Sequence, residues 1–438
     1  RGSVLRVDNN LTTKYCCCRQ QYLGGGTRVV GTAVRWNRPC RRTLSNVAAV
    51  LEGRAVLEIS GVDAKTLLQG LMTNDMGLLD EDGGLPSISA AFLNPKGRVL
   101  ADALVTRSPR HEAKGKPGYL VDCPLSVADS LKTHLKLYKL RSKVRIKDAT
   151  ALYDVLVSGV QDPWQASERE GGGDASPSAG GRLGDGAGGS REARFPDPRS
   201  VALGVRLIRP KGETGADGAD WPDGDPVVPE GRYHALRMVN GVGEGSELLD
   251  SIPLESNLDL LGSISFTKGC YVGQELTART QFKGFVRKRV LPVLFPEGAQ
   301  TFYDPSAASD EGEGQGLLLS RWDGVAAPPE AGSKVVDRAA EDGRLGALVS
   351  VSPAEYNVGL ALLRLGKVLS PASGGTDASK TGNTGAAGGQ EGSHAHPALD
   401  CRVVDASSQG EEERRPCSPL IPPWWPVDLD PTTGKVPV

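Results

Sequence analysis

Apolar and polar positions alternate with period two in several short runs and follow helical spacing in a few others. Arg54–Ile59 alternates and predicts a strand. Asp63 is placed to cap a following helix, one face of which carries Leu67, Leu68 and Leu71. Ser87–Leu93 predicts a strand, Asn94-Pro95-Lys96-Gly97 a turn, and Arg98–Thr106 the returning strand of a hairpin. Gly118–Asp122 predicts another strand. Ser126 and Asp129 have capping-box spacing ahead of a helix that presents Val127, Leu131, Leu135 and Tyr138 on one side. Val144–Lys147 and Leu152–Val157 predict further strands. Tyr233–Val239 predicts a helix that stops near Gly241, and Leu276–Thr280 continues a helix opened around Tyr271. Phe285–Phe295 predicts a strand. Lys334–Asp337, Arg344–Val351 and Asn357–Val368 predict three more, which together imply a small antiparallel barrel or sandwich.

Between these elements the composition changes. Nine glycines fall within residues 171–190, mixed with Ser, Asp and Ala. Such a stretch buries too little apolar area to offset the entropy of ordering it, so 161–194 reads as a Gly-rich insertion. Residues 211–230 and 300–332 read as two more insertions. Residues 370–416 are of low complexity and are expected to be disordered. Within the tail, Pro422-Pro423-Trp424-Trp425-Pro426 forms an apolar island that is expected to dock on the domain, because two adjacent exposed Trp side chains are costly.

Charge and cysteine usage narrow the picture further. The net charge of the 438 residues is −2, so no global field favours nucleic acid or a membrane surface. No apolar run is long enough to span a bilayer. Residues 1–50 carry nine Lys and Arg against the single acid Asp8, with scattered Ser and Thr, a bias that resembles an organellar transit segment. Of the eight cysteines, Cys16, Cys17, Cys18 and Cys40 lie in that segment, and Cys401 and Cys417 lie in the tail. Only Cys123 and Cys270 fall within predicted elements, so the pattern is not a disulfide framework. No Cys/His spacing suggests a metal site, and no metal is expected on this chain alone.

The candidate chemistry lies in residues 253–289, PLESNLDLLGSISFTKGCYVGQELTARTQFKGFVRKR. Cys270 follows Gly269 at the mouth of the helix expected there. A thiol so placed feels the positive helix end and its unpaired N–H groups, and Lys268 acts in the same direction. Gly269 and Gly273 would let the backbone approach a ligand closely. Gln274 and Glu275 offer an amide and a carboxylate to a polar heterocycle or to the thiol. Arg279 is four residues after Glu275, so the two can pair along one helix face. Each feature also has a plain structural reading. Cys often serves as a small buried hydrophobe, and a Glu/Arg pair at this spacing is commonly a surface pair.

The run Lys268, Gly269, Cys270, Tyr271, Gly273, Gln274, Glu275, Ala278 and Arg279 resembles the K-G-C-Y-x-G-Q-E-x-x-A-R signature of the YgfZ/Iba57 family of folate-binding-like iron–sulfur cluster assembly factors. Pro253–Asn257 and Gly284–Arg289 also resemble it, as do the Leu67–Gly70 and Thr73–Asp75 stretches, Phe92–Val105, Asp197–Leu207 and Asn357–Leu363. The resemblance spans roughly 46–370. It implies an α+β fold like that of the aminomethyltransferase (T-protein) of the glycine cleavage system, with a C-terminal antiparallel β-barrel. On that reading the chain divides into a transit segment (1–45), an N-terminal α/β part (46–160), the Gly-rich insertion (161–194), a second α/β part carrying the cysteine motif (195–295), a small barrel (296–370) and a low-complexity tail (371–438).

The resemblance also implies a site. Cys270 is the reactive residue. Asn74, Asp102, Glu255, Lys268, Gly269, Gly273, Gln274, Glu275 and Arg279 are the candidate ligand-binding residues. Asp102, in Gly97-Arg98-Val99-Leu100-Ala101-Asp102, matches the acid near the reactive nitrogen of folate in the transferase relatives; its other reading is an outward residue of a hairpin strand. Glu255 matches a pterin-holding Glu, chemically apt because a pterin presents adjacent N–H donors to a carboxylate; its other reading is a loop Glu capping the next turn. The implied ligand is tetrahydrofolate. The implied role is maturation of 4Fe-4S proteins in the mitochondrial matrix (or a plastid), with A-type iron–sulfur carriers and 4Fe-4S client enzymes as partners, and no nucleic acid or membrane partner. Cys270 would act alone or as a cluster ligand shared with a partner. The alternative is a folate-dependent aminomethyltransferase-type enzyme, which the cysteine motif disfavours.

Overall fold

The computed structural model describes residues 47–80, 84–112, 117–160, 192–212, 227–295, 328–337, 343–352, 356–369, 401–404, 414–422, 424–426 and 428–436. The proposed transit segment and most of the three insertions lie outside these residues.

Two antiparallel sheets pack face to face. The larger is ordered β3-β4-β5-β2-β6, with β2 at Arg54–Ser60, β3 at Ser87–Leu93, β4 at Val99–Arg107, β5 at Gly118–Pro124 and β6 at Arg145–Asp148. The smaller is ordered β1-β7-β9-β8, from Val47–Val50, Tyr153–Val160, Val205–Pro210 and Ala193–Pro196 respectively. Strand β2 is buried along its whole length and shows why. Successive side chains point to opposite faces. Ala55, Leu57 and Ile59 enter one core, with helices α1 (Ala64–Leu71) and α3 (Leu125–Lys139) over it. Val56 enters the other core, between the sheets, with Leu104, Leu120, Val155, Ile208 and helix α4 (Glu230–Val239). Arg54 and Glu58 share the face of Val56, so charged side chains are carried into the space between the sheets.

The predicted hairpin is present, with Ala91 opposite Asp102 and Ser87 opposite Thr106. Both predicted helix caps are corrected. Asp63 makes no cap hydrogen bond; its carboxylate accepts the backbone N–H of Lys143 at 2.7 Å, tying the start of α1 to the loop before β6. Helix α3 starts at Leu125 after Pro124, without a side-chain cap, so Ser126 and Asp129 are inside it. A one-turn helix, α2 (Pro109–Glu112), and helix α5 (Gln274–Lys283) complete this part.

The C-terminal barrel is larger than the three predicted strands. It closes as β10-β13-β12-β11-β14-β15, from Lys288–Leu294, Val358–Arg364, Arg344–Val351, Lys334–Asp337, Cys401–Val404 and Arg414–Pro419. A one-turn helix, α6 (Leu365–Val368), follows β13. Strands β14 and β15 come from the stretch read as a low-complexity tail, and that reading is corrected for 401–404 and 414–436. Without them β10 and β11 would be open edges, and closure removes the cost of unpaired backbone groups. Cys401 sits opposite Cys417 across β14 and β15, both buried in the barrel core, so these two cysteines also belong to folded segments. The apolar island docks as expected. Trp425 is buried in the barrel core, and the Trp424 indole donates to the Asn240 carbonyl at 2.8 Å.

Trp425→Ala should therefore cost about 3–5 kcal/mol. Urea unfolding followed by circular dichroism measures it; an unchanged midpoint would mean that the tail contributes nothing to the barrel.

Candidate functional site

The cysteine motif sits on a loop that is fastened to the end of helix α1. The Lys268 ammonium donates to the carbonyls of Gln69, Met72 and Asn74 at 2.7, 2.7 and 2.8 Å. The first two are carbonyls that the end of helix α1 leaves without intrahelical partners, and Asn74 lies just beyond it. The Thr73 hydroxyl donates to Ser263 O and accepts the N–H of Ala91, and the N–H of Val272 meets Gly70 O at 3.1 Å. Asn74 donates to the carbonyls of Ser89 and Gly262, and its side-chain oxygen accepts the N–H of Asp75. The Leu67–Gly70 and Thr73–Asp75 stretches are thus the seat on which the motif rests. Burial pushes the Lys268 ammonium down to about 8, against the pull of Asp75.

Several expectations change at this point. Lys268 is directed into the three carbonyls and over the Tyr271 ring, 5.0 Å from its centroid, and anchors the loop. Helix α5 begins after Gly273, so Cys270 precedes it by a short loop instead of lying at its mouth. Gly273 adopts φ +80°, and a Cβ there would lie 2.5 Å from Asn94 O; Gly97 faces it at φ +78°. The close approach that Gly273 permits is to the β3–β4 turn, not to a ligand. Gly269 has open space around it. Gln274 accepts the N–H of Tyr271 at 3.3 Å and closes the loop on itself. Glu275 and Arg279 form an exposed ion pair along α5, the surface reading of that spacing. The Asn74 side chain is engaged by the backbone, donating to Ser89 and Gly262 and accepting from Asp75.

The consequence of this bracing is that Cys270 is exposed. The plain reading of a buried structural cysteine does not hold. The same loop-and-helix unit carries apolar surface: Phe282 is 69% and Phe285 56% exposed, and Phe266 meets the Phe282 ring edge-on at 6.3 Å. A cavity of about 400 Å³ beside them is lined by Phe282, Phe285, Asp430 and Lys435 among others. Lys435 donates to the carbonyls of Gln281 and Gly284, so the C-terminal segment braces the far end of α5 as Lys268 braces α1.

Asp102 occupies a different place. It lies between the sheets in a buried ion cluster and accepts the N–H of Gly245 at 2.8 Å. Around it, Arg54 meets Asp122 at 2.7 Å, Arg199 meets Asp197 and Glu244 at 2.7 and 2.6 Å, and Arg237 meets Glu247 at 2.7 Å. Arg206 reaches Asp197 at 3.3 Å and the Tyr233 hydroxyl at 2.8 Å. Four guanidiniums therefore face five carboxylic acids. Burial pulls Glu244 upward, but Arg199, Arg54, Arg237 and Arg206 outweigh it and hold the carboxyl well below its usual value. Asp197 is held down in the same way by Arg199 and Arg206. Asp102 is the acid in surplus: burial raises it, with only partial relief from Arg54 and a further push from Glu244. None of Arg54, Asp197, Arg199, Arg206, Arg237 or Glu244 was singled out as a site residue from sequence. The one local signal was the Asp197–Leu207 stretch, which holds Asp197, Arg199 and Arg206; the other charges are spread over residues 54–247 with no local pattern.

A folate ligand fits this region in part. Arg54 Nη1 lies 3.3 Å from Glu244 Oε2 and Arg206 Nη1 3.7 Å from Asp122 Oδ2, ion pairs without a hydrogen bond, and Arg206 Nε is buried with no hydrogen-bond partner. Glu255 does not join them. It is half-buried, raised by burial, and its opposing charges are Lys288, Arg98 and Arg289. The charges around Asp102 are Arg54, Glu244 and Arg199, a different set from those around Glu255.

Comparison with known proteins agrees with this architecture. The chain is 33% identical over 388 residues to the "iron-sulfur cluster assembly factor IBA57 homolog, mitochondrial" of Mycosarcoma maydis, covering 86% of this chain and 84% of that protein. It is 32% identical to the Neurospora crassa homologue over 81% of this chain and 77% of the other. This chain belongs to the IBA57 family. The human member is 36% identical over 56% of this chain and 65% of its own length. No family model matches the sequence. Among solved structures, the glycine cleavage system aminomethyltransferase T from Bartonella henselae superposes with a TM-score of 0.52 at 12% identity, covering 86% of both chains; this shows the shared aminomethyltransferase-like fold.

Two outcomes follow from the geometry. Gly273→Ala should destabilise the chain by more than about 1 kcal/mol, and Gly269→Ala by less than about 0.5, in chemical denaturation; equal effects would contradict the packed turn. The second concerns pH. Below its unfolded value of about 4, Glu244 stays ionised when folded but takes a proton when unfolded. The stability it contributes is present above that range and lost as pH falls through its folded value. Asp102, raised on folding, contributes with the opposite sign. Glu244→Gln should lower stability by about 3–5 kcal/mol at neutral pH and flatten the decline of the urea midpoint in acid. A wild-type slope in the variant would rule this out.

Proposed function

We propose that this protein is a mitochondrial iron–sulfur cluster assembly factor of the matrix that supports 4Fe-4S protein maturation through the Cys270 thiol. The observation that carries the reading is the exposed thiol on a loop pinned at both sides, by Lys268 to the end of α1 and by Gly273 to the β3–β4 turn. The names of the homologous proteins support the cluster-assembly role and the mitochondrial location. An iron–sulfur cluster takes thiolate ligands, usually four. Among the described residues no group of three or more His, Cys, Asp or Glu could hold a metal. Cys270 therefore supplies one ligand to a cluster whose others come from a partner of the A-type carrier class, before the cluster passes to a client enzyme. The exposed Phe282 and Phe285 offer that partner an apolar foothold.

Tetrahydrofolate is the ligand proposed for the buried polar cluster around Asp102. Its support is the aminomethyltransferase-like fold and the buried guanidinium groups of Arg54 and Arg206 that lack a full set of hydrogen bonds. Those guanidiniums would donate to the ring system, and Asp102 would hold or accept a proton at its carboxyl. Bound there, the folate would supply a one-carbon carrier.

To test the thiol, the protein and an A-type carrier are purified together without oxygen and their visible absorbance is recorded. Cys270→Ser should abolish the shared-cluster bands and the maturation of a 4Fe-4S client, with the fold intact by circular dichroism. A variant that matures the client normally would end the role assigned to Cys270. Calorimetric titration with tetrahydrofolate separates the second part: binding should weaken in Asp102→Asn, and no heat from the wild type would remove the ligand.

A further inference from the structure

Residues 130–147 carry seven Lys and Arg and no Asp or Glu. The overall charge of −2 conceals this local excess. It covers the C-terminal half of α3, the loop after it and edge strand β6. Part of the excess has a structural use. Lys132 pairs with Asp129 and Asp148, and Lys136 and Lys139 suit the negative end of a helix dipole. Lys143 and Arg145 have no such explanation. They are exposed, beyond the helix, and make no ion pair among the described residues.

Leu140, with φ +46°, turns the chain so that Lys143 and Arg145 come back beside Lys139. The three cations border one open cavity of about 540 Å³, together with Ser60, Ser142 and His111. The two serines add hydroxyl donors. The Nε2 of His111 lies 3.1 Å from Glu58, while its Nδ1 is buried without a partner. Of the nearby acids, Glu58 meets His111 through Oε1 while its Oε2, 3.9 Å from Arg110, makes no hydrogen bond, and Asp63 accepts the N–H of Lys143. Val62 in the lining is 70% exposed, and Leu137 and Leu140, on either side of Lys139 in the chain, are 67% and 84% exposed.

We propose that this cavity binds a phosphate-bearing anion, carried by a soluble phosphate ester or by the headgroup of an acidic phospholipid. A guanidinium offers a fork of donors to phosphate oxygens, and the two ammonium groups add point charges around it. Cations set beside exposed Leu and Val are also the pattern of a surface that meets an acidic bilayer, with the headgroup in the cavity and the leucines in the interface.

The test uses the full chain. Inorganic phosphate and glycerol 3-phosphate are titrated by calorimetry. Flotation is measured with phosphatidylcholine vesicles that either contain or lack phosphatidylglycerol. The variant Lys143→Glu/Arg145→Glu changes two exposed side chains; Lys334→Glu/Arg344→Glu, on the barrel, makes the same change in net charge elsewhere. At least one probe should bind the wild type, with about tenfold or greater weakening in the first variant and little change in the second. Binding of the soluble phosphates assigns a free ester. Binding to phosphatidylglycerol vesicles alone, reduced by Leu140→Asp, assigns a headgroup. The proposal is overturned if no probe binds, or if the two double variants lose binding equally.

Discussion

The ammonium of Lys268 closes the end of helix α1 by giving its three hydrogens to three main-chain carbonyls. A buried cation with no carboxylate in direct contact is held here by three backbone carbonyls, with the Tyr271 ring and the charge of Asp75 adding to them, and this requires the helix end and the motif loop to keep a fixed distance. That requirement determines most of the site. It seats residues 262–273 on α1, brings Gly273 against Gly97 of the hairpin turn, and leaves Cys270 with nowhere to go but outward. An exposed cysteine on a rigid support is unusual, because thiols are among the side chains most often buried. The support explains how it is kept exposed without the loop collapsing over it.

Charge is handled in two contrasting ways in this molecule. Between the sheets, four guanidiniums and five acids are taken out of water and must compensate one another. Asp102 is the member least well compensated, which makes it the natural point for a proton or a polar guest. On the outer edge, around β6, cations are gathered without partners and left in solvent. The first arrangement is an interior ion cluster that compensates itself; the second is a surface that offers charge to an anion. Neither is visible in the overall charge.

The elements themselves were largely legible from the chain. The strands predicted at Arg54–Ile59, Ser87–Leu93 and Arg344–Val351 correspond to β2, β3 and β12, because short apolar or alternating runs bounded by turn residues are a local signature of a strand. The caps at Asp63 and Ser126 were misread because a short polar side chain near a helix start can bond elsewhere, as Asp63 does to Lys143. The tail strands Cys401–Val404 and Arg414–Pro419 were missed because each is short and their pairing depends on β10 and β11, more than a hundred and more than sixty residues earlier respectively.

For the site, the sequence by itself determined the motif from Lys268 to Arg279 and hence the family, since a run of fixed residues at fixed spacing is a local property. It could not assign their tasks. Lys268 and Gly273 read as neighbours of a reactive thiol, yet their partners are α1 and the β3–β4 turn, nearly two hundred residues away. The ion cluster around Asp102 likewise exists only when strands and helices distant in the chain converge. Hydrogen bonds and ion pairs act over a few ångströms of space regardless of chain separation, so which polar side chain brace, bind or stand exposed was decided by the tertiary structure.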